Sequence, residues 1–193
     1  MHFLLISGSP ALFSHTLILM QELNEEIERM GHSSTIWNLQ HMPLPLCEPQ
    51  YHWDIDAHPD SEVQRFAKEV RAADGIALGS PLYHGSFSGV LKNSLDHLWY
   101  DAFRNKPVAL LSHGSSERRC SIPCEMLQTV VKTLFGYCCQ TQVASTKTDF
   151  EQNEDGPFRM ENNALRQRIH RQAHELVQLS GILKEHSDLV KEN

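Results

Sequence analysis

The feature that most constrains the fold is the alternation of short apolar runs with longer segments of helical periodicity. Three runs are short and uninterrupted, at residues 3–6, 75–79 and 107–111; a strand-like run that mixes polar and apolar residues occupies 34–39, and a fifth run lies near 139–144. The segments between most of them repeat apolar residues every three or four positions, as in Leu17, Met20, Leu23, Ile27 and Met30 before Gly31. Short apolar runs predict buried strands, and this spacing predicts amphipathic helices, the first of which ends at Gly31.

Strands that alternate with helices predict a parallel sheet covered on both faces. Right-handed crossovers leave few topologies, and we predict an α/β three-layer sandwich with five parallel strands in the flavodoxin-like order 2-1-3-4-5. The 193 residues fit one domain, which we place at 1–185 and follow with a charged tail at 186–193. Two segments stand out between the elements, a proline-containing connection at 40–60 and a polar stretch with a predicted turn at Asp155-Gly156. So long a connection is typical of a functional loop.

Charge and composition exclude several classes of protein. The formal net charge is −7, the wrong sign for binding along a nucleic-acid backbone. No apolar run approaches the ~20 residues that cross a bilayer, so we expect no membrane association. Five cysteines without a secretory signal predict a reduced, cytoplasmic protein. Only His170 and His174 have a ligand-like spacing, and nothing nearby completes a metal site, so we expect no metal.

Function is expected where parallel strands one, three and four end, because ligands bind beyond that edge of such a sheet. The first strand runs through Gly8-Ser9-Pro10 to Ser14-His15-Thr16 and into a helix. Three hydroxyls and a helix N-terminus suit a phosphate group. Neither a P-loop nor a dinucleotide fingerprint is present, which favours a monophosphate. Ordinary helix capping by Ser14 or Thr16 is the alternative.

The third and fourth strands end in similar small, polar loops. Ser80-Pro81-Leu82-Tyr83-His84-Gly85-Ser86 can lay backbone N–H groups along the edge of a planar ring while Tyr83 covers its face. A core tyrosine with a surface histidine is the alternative. The fourth strand ends in Ser112-His113-Gly114-Ser115-Ser116.

These loops carry a resemblance to a known family. Two motifs resemble the NAD(P)H-dependent FMN reductases, a family that includes azobenzene, quinone and chromate reductases: Gly8-Ser9-Pro10 with Ser14-x-Thr16, and Ser80-Pro81-x-Tyr83-x-Gly85-x-x-Ser88-Gly89-x-Leu91-Lys92-Asn93-x-x-Asp96. The likeness runs from residue 3 to about 180, and the second motif is the more specific.

The resemblance implies FMN as cofactor and assigns residues to it. Ser9, Ser14 and Thr16, with the backbone of His15, match the phosphate positions; Pro81, Leu82, Tyr83, His84 and Gly85 match the isoalloxazine loop; and Ser112, Gly114, Ser115 and Ser116 match the loop on the other side of the ring. Lys92, Asn93 and Asp96 are expected to serve helix packing and subunit contacts.

Two departures from the family pattern bear on the electron donor and on how FMN is used. Ala11 stands where many members carry an arginine for the NADPH phosphate, so the choice between NADPH and NADH stays open. Arg118 and Arg119 are candidates to bind the nicotinamide nucleotide instead, with plain solvation of a helix start as the alternative. No tyrosine insertion interrupts the fourth helix, which favours FMN retained through turnover.

The resemblance predicts a flavin oxidoreductase in which hydride passes from NAD(P)H to FMN N5. Electrons then reach a small-molecule acceptor such as a quinone, azo compound, metal oxyanion, free flavin or oxygen. No side chain is required as an acid or base, because the cofactor carries the chemistry. The family implies a homodimer or homotetramer, with the 40–60 connection bordering the site. A flavodoxin-type electron carrier and a non-catalytic flavin-binding protein are the alternatives; a response-regulator domain is excluded, because Gly8-Ser9 and Gly79-Ser80 stand where it needs acidic residues.

Overall fold

In the computed structural model, which describes residues 1–152 and 158–191, the strands of the main sheet are all parallel and run in the order β2-β1-β3-β4-β5. The strands of this sheet are β1 (His2–Ser7), β2 (Ser33–Asn38), β3 (Gly75–Pro81), β4 (Pro107–His113), β5 (Tyr137–Cys138) and β6 (Val143–Ser145). The helices are α1 (His15–Arg29), α2 (Ser61–Ala72), α3 (Gly89–Asp96), α4 (Ile122–Thr133) and α5 (Asn163–Lys191). The predicted flavodoxin-like order is therefore confirmed. The predicted Asp155-Gly156 turn lies outside the described residues.

Alternating side chains of β1 divide the core into two layers. Phe3 and Leu5 face the cluster formed with α1 and α5, whereas Leu4 and Ile6 face the cluster formed with α2, α3 and α4. Successive residues of a strand point to opposite faces, so one continuous apolar run supplies both layers. All four side chains are fully buried.

Helix ends follow the signals in the sequence. Ser14 and Ser88 cap α1 and α3 through their hydroxyl oxygens, and the Asp60 carboxylate caps α2. Gly31 adopts φ +81° just beyond α1, a backbone conformation that favours glycine. The predicted stop of the first helix is confirmed.

The fifth strand differs from the prediction. Instead of one strand near 139–144, two short segments, β5 and β6, both pair with β4. Side chains of α5 occupy the gap: Gln172 donates to the carbonyl of Thr141 at 2.7 Å, and the Glu175 carboxylate accepts from the backbone N–H of Thr141 at 2.9 Å. These long-range bonds replace ladder hydrogen bonds, so residue pattern alone could not locate the break.

A second, two-stranded antiparallel sheet was not predicted. It consists of β7 (Phe150–Gln152) and β8 (Phe158–Met160) and lies within the stretch expected to be only polar. Phe150 and Met160 are buried against α1 and α5. The hairpin therefore extends the core beside the N-terminus of α1. After it, α5 runs on through residues 186–191 of the predicted tail.

The 40–60 connection contains two short 3-10 turns, at Pro49–Tyr51 and Ile55–Ala57, and is fastened to α3. Asn93 accepts a hydrogen bond from the backbone N–H of Cys47 at 3.0 Å and donates to the carbonyl of Pro45 at 2.7 Å. Lys92 and Asp96 of the same helix form an ion pair. Among the described helices, none is both long and apolar enough to cross a membrane.

Candidate functional site

Three loops meet at the carboxyl edge of the sheet around a cavity of about 240 Å³. They follow β1, β3 and β4, the three strands at which the sequence predicted a site. The lining residues are Ser9, Ala11, Phe13, Ser14, His15, Thr16, Pro81, Leu82, Tyr83, His113, Gly114 and Ser115. Nine of the predicted cofactor residues are thus brought together: Ser9, Ser14, His15, Thr16, Pro81, Leu82, Tyr83, Gly114 and Ser115.

The β1–α1 end of the cavity offers hydroxyl donors. Ser14 accepts a hydrogen bond from the N–H of Leu17 at 3.1 Å, and Ser9 accepts one from Ala11 at 3.3 Å. Each serine uses its oxygen as an acceptor, which leaves its own O–H free to donate to a ligand. Thr16 is 1% exposed and also lines the cavity.

Backbone donors lie in the same place. Neither the N–H of His15 nor that of Thr16 bonds to any described residue, because the first turn of a helix has no intrahelical partners for these groups. Gly79 allows the close approach of α1: a Cβ there would lie 3.0 Å from the Thr16 methyl carbon. This end of the cavity therefore fits an anionic phosphate, since it combines free donors with the positive end of a helix dipole.

The β3 loop is a tight turn. Tyr83 and Ser86 exchange backbone hydrogen bonds of 2.9 and 3.0 Å, and the two residues between them, His84 and Gly85, have φ of 48° and 82°. Two successive positive φ values define a type I′ turn. The N–H groups of Leu82 and Tyr83 are already bonded, whereas those of His84 and Gly85 have no partner among the described residues. Only the latter two can donate to a planar ring.

Two serines tie this turn to the phosphate end. The Ser80 hydroxyl oxygen accepts from the N–H of Ser88 at 2.9 Å, and Ser88 donates to the carbonyl of Gly8. Ser88 also caps α3. Ser88, a residue of the family motif, thus fixes the β1 and β3 loops relative to each other. The sequence alone did not predict this role.

The β4 loop contributes less of its predicted set. Ser112 is fully buried and donates to the carbonyl of Cys120, so it supports the loop and does not line the cavity. Ser116 is exposed outside the lining, as are His84 and Gly85. The side chains of Arg118 and Arg119 are exposed and form no ion pair with a described residue. Their guanidinium groups are therefore available to an anionic ligand.

His113 also lines the cavity, although it was not predicted from the sequence as a cofactor-binding residue. Its ring stacks on His15 with centroids 4.1 Å apart and planes at 10°. The Ser145 hydroxyl donates to the Ser112 carbonyl at 3.2 Å, so Ser145 accepts from His113 Nδ1 at 3.0 Å. This chain fixes the tautomer and leaves Nε2 as an acceptor. Its position at the end of a parallel strand was the signal that could have found it.

Burial keeps this pair of rings neutral. It lowers the pKa of His113 to about 4, with a smaller contribution from neighbouring His15, and it also lowers the pKa of His15. The two histidines thus add ring surface without adding charge next to the phosphate position.

His170, His174 and the five cysteines lie outside the lining of this cavity. His170 and His174 lie with ring centroids 4.3 Å apart, and His170 contacts Glu26, but no group of three metal-binding side chains occurs within the described ranges. All five cysteines are free thiols. Burial raises the pKa of Cys124 to about 12, which makes it an inert core thiol.

Comparison with known proteins identifies the family. The sequence model of the NADPH-dependent FMN reductases matches residues 1–149, which contain all three loops. The chain belongs to this family. An FMN-dependent NADPH-azoreductase of Staphylococcus saprophyticus is 36% identical over 163 residues, covering 82% of this chain and 84% of the relative. One from Staphylococcus aureus strain USA300 is also 36% identical over 163 residues, covering 80% and 82%.

Solved structures agree on the fold. An oxidoreductase from Corynebacterium diphtheriae superposes with a TM-score of 0.72 at 20% identity, covering 92% of this chain and 95% of the other. The NAD(P)H:acceptor oxidoreductase FerB of Paracoccus denitrificans gives 0.70 at 15% identity, covering 96% and 98%. Family membership confirms the predicted enzyme class, a nicotinamide-dependent FMN reductase, and its cofactor, FMN, with NADPH as donor. The β7–β8 hairpin lies beyond the family match.

Proposed function

We propose that this FMN reductase passes electrons from NADPH to a small planar acceptor, an azo compound or a quinone. The observation that carries the proposal is the cavity in which the three family loops meet. The azo acceptor is supported by the names of the staphylococcal relatives at 36% identity. Metal oxyanions, free flavin and oxygen are further acceptors of the same reduced cofactor.

The phosphate of FMN belongs at the β1–α1 end. Ser9, Ser14 and Thr16 would donate their hydroxyl protons, and the backbone N–H groups of His15 and Thr16 would add two more bonds. Charge-assisted hydrogen bonds of this kind are worth about 1.5–3 kcal/mol each. A preformed set of donors holds the cofactor without any rearrangement of the loop.

The isoalloxazine ring belongs between the β3 turn and the β4 loop. The unbonded N–H groups of His84 and Gly85 suit its polar edge, Tyr83 suits its face, and Gly114, Ser115 and Ser116 suit its other side. His113 offers a neutral Nε2 acceptor to a ligand N–H. The chemistry supplied by bound FMN is acceptance of a hydride from the nicotinamide and release of electrons to the second substrate.

Arg118 and Arg119 are proposed to bind the phosphates of NADPH. Both guanidinium groups are exposed one loop away from Tyr83 and lack a described anionic partner. A guanidinium pairs with phosphate through two parallel hydrogen bonds. The pair would take over the role of the arginine that Ala11 replaces.

Assembly and location complete the proposal. We infer a homodimer or homotetramer, supported by exposed apolar side chains beside α3: Leu46 is 83% exposed and lines, with Val90 and Leu44, an apolar cavity of about 360 Å³. The 40–60 connection then borders the site of the neighbouring subunit. We place the protein in the cytoplasm, consistent with its free thiols.

The test combines a visible spectrum with turnover. Purified protein should show oxidised-flavin bands at about one flavin per chain and, with oxygen removed, should turn over NADPH only when an azo dye or a quinone is added. NADH measured in parallel tests the preference for NADPH. A flavin that stays bound while neither nucleotide is oxidised would identify an electron carrier or a non-catalytic flavoprotein.

A further inference from the structure

A second cleft, of about 270 Å³, lies between α1 and β8. It adjoins the FMN cavity, that is, the 240 Å³ cavity proposed to hold FMN. Phe13 and Ser14 line both. A ligand whose phosphate binds at the start of α1 could therefore occupy both cavities, with one part on each side of Phe13 and Ser14.

The cleft follows the first turns of α1. At its near end Phe158 stacks on His15, with ring centroids 3.8 Å apart. At its far end the guanidinium of Arg166 bonds to the carbonyl of Met160 and lies 3.6 Å from the Glu22 carboxylate. The β8 strand thus runs alongside α1 from His15, the first residue of the helix, toward Glu22. These two residues are about 10 Å apart along the helix axis at 1.5 Å per residue.

Charge changes sign along this path. Arg159, between Phe158 and Met160, lines the cleft and is 72% exposed; its pairing with Glu161 at 3.1 Å is a surface ion pair that an incoming anion can compete with. Farther along, Gln21, Glu22 and Glu25 supply acceptors. Burial raises the pKa of Glu22, because the charged carboxylate has lost part of its hydration. A ligand group that donates a hydrogen bond to this carboxylate would replace the lost water.

Apolar walls flank these groups. Leu12 is 66% exposed and Phe13 58% exposed, both on the cleft, and Phe158 faces them from the hairpin. Exposed apolar side chains around a concave surface mark a ligand site more often than a bare surface does. The apolar walls and the acidic side chains together fit a flat ring that carries N–H donors and is linked to a phosphate at the start of α1.

We propose that this cleft is an adenosine subsite through which the protein binds FAD, with the FMN half in the FMN cavity and the adenosine monophosphate half in the cleft. The second phosphate would meet Arg159, the adenine ring would lie among Leu12, Phe13 and Phe158, and its amino group would donate to the acidic side chains. This inference rests on the proposed position of the FMN phosphate.

The experiment measures FMN and FAD affinities by isothermal titration calorimetry on wild type and two tryptophan variants. Gln21 is an exposed residue on the cleft, so Gln21→Trp fills the cleft without touching the core. Glu28 is exposed on the same helix outside the cleft, and Glu28→Trp is the matched control. We expect FAD to bind wild type at least as tightly as FMN. Gln21→Trp should weaken FAD about tenfold and leave FMN within about twofold, while Glu28→Trp changes neither.

An FAD affinity about tenfold or more below that of FMN in wild type would overturn the subsite, as would a ratio that Gln21→Trp leaves unchanged. Arg159→Glu gives an independent reading, because it should weaken FAD roughly fivefold and spare FMN. An FAD loss in Gln21→Trp without one in Arg159→Glu would place the second phosphate elsewhere and contradict the proposed orientation. If wild type binds neither flavin, the proposed function itself fails, which the FMN titration shows separately.

Discussion

At the β1–α1 end of the FMN cavity, Ser9, Ser14 and Thr16 are at most 8% exposed, whereas at the β3 end Tyr83 is 43% exposed and His84 and Gly85 lie on the surface. The first end is built on a capped helix and packed against Gly79, so its donors are fixed before a ligand arrives. The second is a two-residue turn whose two central residues are exposed. We infer that the phosphate end supplies affinity, while the open end admits and releases substrates.

The largest effect is expected from a negative charge introduced at the β1–α1 end, where we place the phosphate. Ser14→Asp keeps the helix cap, because aspartate is itself a good N-cap, but it places a carboxylate against the phosphate. We expect a loss of at least about 2 kcal/mol, about 30-fold in FMN affinity, measured by fluorescence titration. Riboflavin, which lacks the phosphate, is the control and should bind the variant and wild type alike. Unchanged FMN binding would mean that the phosphate lies elsewhere.

His113 lies between the two ends and gives a pH-dependent test. Its folded pKa of about 4 is below the ordinary value of 6.5, so the unfolded chain takes up a proton first as the pH falls. Its contribution is intact above about pH 6.5 and is lost progressively toward pH 4. Between about pH 7 and pH 5 we expect the free energy of unfolding of the apoprotein to fall by about 1–2 kcal/mol through this residue, allowing for its partial exposure.

Denaturant unfolding of wild type and His113→Phe at both pH values measures that share. Phenylalanine keeps the ring stacked on His15 but cannot titrate. The wild-type protein should lose more stability on acidification than the variant does. Equal losses would show that the His113 ring is not held neutral.

In the neighbouring β4 loop, substitution of the two arginines should affect the nucleotide and not the flavin. Replacing Arg118 and Arg119 together by alanine should raise the KM for NADPH roughly fivefold, about 1 kcal/mol, a modest effect because both side chains are exposed. Flavin content should not change. Arg104→Ala is the control, since that guanidinium lies outside the cavity lining and bonds to Asp101 at 2.8 Å. Steady-state kinetics in which the double variant matches this control would leave the arginines without a role in nucleotide binding.

The smallest expected effect is at Tyr83. Tyr83→Ala removes a half-exposed aromatic cover and should weaken FMN roughly threefold, about 0.6 kcal/mol, with a shift in the flavin spectrum. Tyr83→Phe should retain most of the affinity, because the ring provides the contact. A loss at Tyr83 larger than that at Ser14→Asp would reverse the assignment of the two ends.

The two ends also differ in how far the sequence could predict them. Three hydroxyls at the start of a helix that follows a buried strand are a local signal, and from them the sequence predicted a phosphate at the β1–α1 end. The type I′ turn at His84-Gly85 was not predicted, although glycine marked a bend, because two successive positive φ values depend on the bonds between Tyr83 and Ser86. Ser112 was predicted to flank the flavin because of its motif position, but its hydroxyl bonds to Cys120 eight residues away.

Long-range contacts account for what was missed in the fold. The alternating pattern predicted the strands of a parallel sheet, because the runs are local in the chain, and the right-handed crossover rule reduced the possible strand orders to a few. The break between β5 and β6 depends on Gln172 and Glu175, which are some 30 residues away from it. The β7–β8 hairpin is too short for periodicity to reveal, and its burial comes from α1 and α5. The position of His113 likewise depends on long-range contacts, with Ser145 and with His15.

The most direct test of the account is the ratio of riboflavin to FMN dissociation constants for the wild-type protein. The two ligands share the ring and differ in the phosphate, so the ratio isolates the β1–α1 end. Because hydroxyl and backbone donors converge there, we predict that FMN binds at least about 100-fold more tightly than riboflavin, about 3 kcal/mol. Equal affinities for riboflavin and FMN would contradict it.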